Sequence, residues 1–123
     1  MAVTVKTLRV HSTSLRLRLV LFTRPAEMLH YQRQHGYRSR AAVLGYCEKN
    51  PEALPSRRYF AEVALLVPTP LDVVVHESVH AAHGLLARLR YHRLGALGDE
   101  HPEEPLAYYT GFIAERIVRS IQG

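Results

Sequence analysis

Residues 69–92, TPLDVVVHESVHAAHGLLARLRYH, constrain the fold more than any other stretch. Thr69 suits a helix cap and Pro70 the first helical position. Asp72 stands three after Thr69, the spacing of a capping box. The pattern predicts one helix from about 70 to 92. Val75, Val79, Ala82, Leu86 and Leu89 form an apolar stripe, and Val74, Ala81 and Leu85 widen it. A helix this apolar must be packed on most of its sides. Yet it carries His76, Glu77, His80 and His83, three of the chain's eight histidines and one acid. Such groups are costly to bury unless paired or bound to something.

The rest of the chain must supply what packs against this helix. VTVKTLRV (3–10) reads as a strand. SLRLRLVLF (14–22) is a clearer one, with Leu15, Leu17, Leu19 and Leu21 on one face and Arg16 and Arg18 on the other. HSTS between them suits a hairpin connection. Pro25 begins a short helix ending at Gly36. AAVLGYCEK (41–49) reads as a third strand, NPEALPS (50–56) as a loop, and RYFAEVALLVP (58–68) as a buried or edge strand. LGALGDEHP (94–102) is a loop. A last helix, about 103 to 121, turns Leu106, Tyr109, Ile113 and Ile117 inward. The expected fold is α+β in one domain, residues 1–123: a small, mainly antiparallel or mixed sheet packed on helices.

Sixteen Lys and Arg face eleven acids, a net charge of +5. This balance admits nucleic acid as a partner, but the arginines run from Arg9 to Arg119 rather than in one block, as on an ordinary basic surface. No apolar run approaches the roughly 20 residues that span a bilayer. The alternating N-terminus lacks the apolar block of a secretory signal. A cytoplasmic protein without membrane attachment is the expectation. The single Cys47 cannot form an internal disulfide and reads as a small buried residue.

His76 and His80 are four apart, one turn along the same helix face. Two imidazoles so placed can share one metal ion. Glu77, next to His76, points about 100° away around the helix, outside the ligand set but within reach of a metal-bound water. That is the physical content of H-E-x-x-H: two ligands and a general base on one rigid turn. A catalytic zinc normally takes a third protein ligand. His83 lies a turn beyond His80, better placed to line the cleft than to ligate. Glu103 and Glu104 open the last helix, and a ten-residue loop between antiparallel helices would return them to the histidines. Equally, they complement that helix's dipole.

VVVHESVHAAHG followed by EEPLAYYTGFIAERI resembles the gluzincin-type zinc metallopeptidases, in particular very small zincin-like proteins encoded by bacteriophages. The ImmA/IrrE-type peptidases share a related pattern. The likeness covers about residues 69 to 121. It implies a zincin-like fold, one Zn2+, and a third ligand at Glu104, which has Ala107 three residues later as such families require. Tyr108 stands where thermolysin-like members carry an orienting Asp. The steps at which metzincins place Gly and a third His hold His83 and Leu86, which excludes that class. His92 and His101 remain alternative third ligands.

The implied activity is hydrolysis of peptide bonds in a protein or peptide substrate by a metal-activated water, with Glu77 as general base. Tyr108, Tyr109 and His83 are candidates to stabilise the transition state. Residues 59–67 are the candidate strand for pairing with an extended substrate. The alternative is a zincin-fold zinc-binding protein with little catalysis, acting near nucleic acid.

Overall fold

A computed structural model describes residues 3–10, 13–36, 44–50, 53–89 and 103–122. In chain order these form β1 (Val3–Arg9), β2 (Arg16–Phe22), α1 (Pro25–Gln34), β3 (Gly45–Glu48), β4 (Tyr59–Leu66), α2 (Leu71–Leu89) and α3 (Glu103–Gln122). The expected parts of the chain at 41–43, 90–92 and 94–102 lie outside the described residues.

The four strands make one sheet in the order β1-β2-β4-β3. β1 and β2 pair antiparallel, as do β3 and β4, while β2 and β4 run parallel. The fold is thus α+β with a mixed sheet. The parallel pair follows from α1 and β3 intervening between β2 and β4, since parallel neighbours need a long crossover. Alternation in β2 holds as read. Leu17, Leu19 and Leu21 join the larger core with Ala61, Val63 and Leu65 of β4, beneath α2 and α3. Val20 and Phe22 turn to the other face and pack with Met28 and Tyr31 of α1. α1 therefore covers one face of the sheet, and α2 and α3 the other.

Of the two readings of β4, the buried one holds: it is paired on both sides, and residues 60 to 65 are all buried. A strand covered on both faces and both edges loses the alternation that marks a half-exposed one. The edge beside it is β3.

The buried face of α2 keeps the expected Val74, Ala81, Ala82 and Leu85 but extends to Glu77, Ser78 and Gly84 instead of Val75. It consists of Val74, Glu77, Ser78, Ala81, Ala82, Gly84 and Leu85, while Val75 is 40% exposed. Small residues win this face because the helix lies close to the sheet. A Cβ added at Gly84 would stand 3.1 Å from the Phe60 carbonyl oxygen, and one at Gly45 on β3 3.3 Å from Val73. Ser78 is accommodated by donating to the Val74 carbonyl at 2.7 Å. The start of α2 also differs from the capping box. Thr69 donates its hydroxyl to the Leu66 carbonyl at 2.8 Å, and the Pro70 carbonyl accepts from Val73 and Val74 just ahead of the helix.

α3 buries Ile113 and Ile117, with Leu106 and Tyr109 packed against the same core. Val118 and Ile121 near its end lie with Leu71 and Val74 around one groove at the start of α2. The two helices are therefore antiparallel. Among the described residues, no helix is long and apolar enough to cross a membrane.

Candidate metal centre

His76, Glu77 and His80 each offer a ligand atom, and these atoms lie within 4.8 Å of one another. They are the only such group of His, Cys, Asp and Glu among the described residues. Helical spacing produces the pair: the Nε2 atoms of His76 and His80 approach to 3.3 Å, with rings 4.9 Å apart and inclined at 73°. Two Zn–N bonds of about 2.0–2.1 Å at a tetrahedral angle put their nitrogens about 3.3–3.4 Å apart, so the imidazoles fit one such ion. An N–H···N hydrogen bond at this distance would be long.

His76 is exposed and His80 half-buried, whereas Glu77 is 7% exposed. Glu77 lies toward β3. Its carboxylate acts on the thiol of Cys47, which the strand register turns onto the same sheet face as Val63, beneath α2. Burial pushes the Cys47 thiol up, and the Glu77 charge adds to that, while Lys49 opposes it. A thiol held protonated in this way is a poor nucleophile, in keeping with its reading as a packed residue. The alternation of Gly45 and Cys47 against Tyr46 and Glu48 was the only sequence signal that Cys47 would face α2.

The other expected site residues stand elsewhere. Glu104 is exposed on the first turn of α3, outside the convergent group. Both register and side separate it from the histidines. The antiparallel packing sets the last turns of α3 beside the first turns of α2, so the first turn of α3 falls near the far end of α2. Residues advance about 100° around a helix, which turns His76 and His80 about 140° and 180° from Leu71, on whose side α3 packs. The histidines thus open toward the β3 side, away from α3. Tyr108, 55% exposed, and Tyr109, packed on the core, are on α3 too, with rings 5.1 Å apart. His83 is exposed and outside the group. The side chain of Glu103, and His92 and His101, lie outside the described residues.

A second polar cluster escaped the sequence reading. Glu62 of β4, with no exposed surface, accepts from Arg18 Nε and from the Tyr31 hydroxyl, each at 2.9 Å on Oε1. It lies on the α1 face of the sheet, across from the histidines.

No protein-family model, curated protein or solved structure matches this chain.

Proposed function

We propose that the protein is a zinc-dependent hydrolase of peptide bonds, in which His76 and His80 hold the ion and Glu77 is the general base. The observation that carries this reading is the 3.3 Å separation of the two Nε2 atoms, with the buried Glu77 carboxylate in the same group. Bound zinc would acidify a water to a pKa of about 7 and polarise a carbonyl. Glu77 would take that water's proton and pass it to the leaving amine. Its side chain is buried on α2 rather than extended into solvent. β4 being internal, the strand offered to an extended substrate is β3, which among the described residues is paired on one side only and lies on the side to which the histidines open. The wider kinship to gluzincin-type peptidases belongs to the same proposal.

A second reading has its own support. The described residues bring no third ligand to the histidines, and the Glu77 oxygen lies close enough to be that ligand. Glu77 would then hold the ion and no base would remain, giving a zinc-binding protein without cleavage.

One pair of measurements separates the two: zinc content by elemental analysis, and cleavage of an unstructured protein such as casein. A base at position 77 predicts that Glu77→Gln retains about one zinc and loses cleavage. Loss of zinc from Glu77→Gln establishes the ligand role instead. Wild-type protein that takes up no zinc overturns both.

A further inference from the structure

The arginines that are scattered along the sequence are collected by the fold. Arg9 ends β1, and its partner in the ladder is Arg16, which begins β2. The Arg16 amide donates to the Arg58 carbonyl at 2.8 Å, just before β4. Arg88, near the end of α2, donates to the Tyr59 carbonyl at 2.8 Å and to that of Arg57. Arg116 of α3 reaches the Arg9 carbonyl at 3.5 Å. Lys49 follows β3, and its side chain lies over Gly84 of α2. Seven cations therefore meet at one end of the sheet. Arg9, Lys49, Arg57 and Arg58 are exposed, and Arg16, Arg88 and Arg116 are half-buried.

Among the described residues, none of these seven cations is in an ion pair: neither Arg18–Glu62 nor Arg119–Glu115 includes any of them. Glu48, the acid closest in the ladder, accepts from the Asn50 amide.

We propose that this end of the sheet binds the phosphodiester backbone of nucleic acid. Six of the seven cations are arginines, whose planar fork matches the oxygens of a phosphate. Arg88 and Arg116 are tied to strand-end carbonyls and so give the surface a fixed frame. Arg9, Arg16 and Arg58 sit on three adjacent strands and Lys49 beside a fourth. At about 4.8 Å per strand the row spans roughly 15 Å, the reach of about four phosphates at 3.4 Å each. Among the described residues, the exposed large apolar ones, Val5, Leu44, Leu71, Val75 and Tyr108, are not among these seven positions. Arg88 lies eight residues beyond His80, about 12 Å along α2, and Lys49, over Gly84, stands nearer the metal centre. The proposal stands whether or not the protein cleaves peptides.

The experiment is fluorescence anisotropy with labelled 20-nucleotide single-stranded and duplex DNA of mixed sequence, from 25 to 200 mM salt. Four exposed contacts predict that log affinity falls with log salt at a slope of about −3 to −4. Arg57→Glu with Arg58→Glu should weaken binding at least tenfold and flatten the slope by about two. Arg24→Glu, a charge reversal just past the end of β2 at the other end of the sheet, should stay within twofold. Circular dichroism confirms folding, and Arg9→Gln with Lys49→Gln replaces the first pair if it does not fold. The proposal fails if no salt-dependent binding appears at 25 mM, or if Arg24→Glu weakens it as much as the Arg57–Arg58 pair. It also fails if phosphatidylglycerol vesicles or poly-glutamate bind more tightly than DNA.

Discussion

Arg18 and Glu62, direct partners in the ladder between the parallel strands β2 and β4, form an ion pair of 2.9 Å on the sheet face beneath α1. The carboxylate has no exposed surface, and the guanidinium keeps 22% of its side chain in solvent. Removing one member of a buried pair leaves an uncompensated charge, at a cost of about 3–5 kcal/mol. Arg18→Ala should therefore destabilise the protein by about that amount, and Tyr31→Phe, which removes one hydrogen bond to a charged group, by about 1.5–3 kcal/mol. Urea denaturation of the three proteins measures both.

The same cluster makes stability depend on alkaline pH. Burial, with the Glu62 charge beside it, raises the Tyr31 phenol from 10.0 to about 12. Below pH 10 the phenol is neutral in both states, and the full stability is present. Between about pH 10 and 12 the unfolded chain ionises first, so stability falls, by on the order of 2–3 kcal/mol across that window. Tyr31→Phe should lose this component of the alkaline fall, as read from melts at successive pH values.

Two glycines should respond in opposite senses to alanine. At Gly45 a Cβ would meet Leu65 at 2.8 Å and the Ala64 carbonyl oxygen at 3.1 Å. Gly45→Ala is expected to cost about 1–3 kcal/mol by overpacking the α2–β3 contact. At Gly111, exposed on α3, nothing lies within 4 Å. Gly111→Ala should add about 0.5–1 kcal/mol through helix propensity alone. Thermal melts distinguish the signs.

The buried face of α2 has its own check. Val74 is 2% exposed and Val75 40%. Val74→Lys would bury an unpaired charge and should cost several kcal/mol, whereas Val75→Lys should stay within about 0.5 kcal/mol. Comparable losses at both positions would mean that α2 faces the sheet differently.

The metal centre predicts which side chains zinc needs. His76→Ala and His80→Ala should each abolish stoichiometric zinc on elemental analysis. Glu104→Ala should leave zinc content unchanged, because α3 packs on the side of α2 away from the histidines. Loss of zinc from Glu104→Ala would return that residue to the ligand set.

Much of this was legible in the chain. Alternation around Leu17, Leu19 and Leu21 marked β2 and its buried face, and Pro25 marked the start of α1. The spacing of His76 and His80 put two imidazoles on one face because local backbone geometry alone sets that distance. Length, period and turn residues are properties of neighbours in sequence, and neighbours suffice to read them.

The inward face of α3 was legible, but other relations between elements were not. Whether β4 was internal or an edge stayed open because its apolar run cannot say which strands flank it. Val74, Ala81, Ala82 and Leu85 were read onto the buried face of α2, but Glu77, Ser78 and Gly84 join them only because a sheet lies close, and Val75 is left out. Glu104 followed the histidines in sequence at a suitable distance, and spacing alone cannot say whether its carboxylate reaches them. Arginines dispersed from position 9 to 116 became one surface only when strand ends and helix ends were brought together. Sequence determined the elements and the histidine pair, since both are fixed within a turn or two of chain. Tertiary packing decided which sides meet, because that choice minimises exposed apolar surface and unpaired charge over the whole molecule at once.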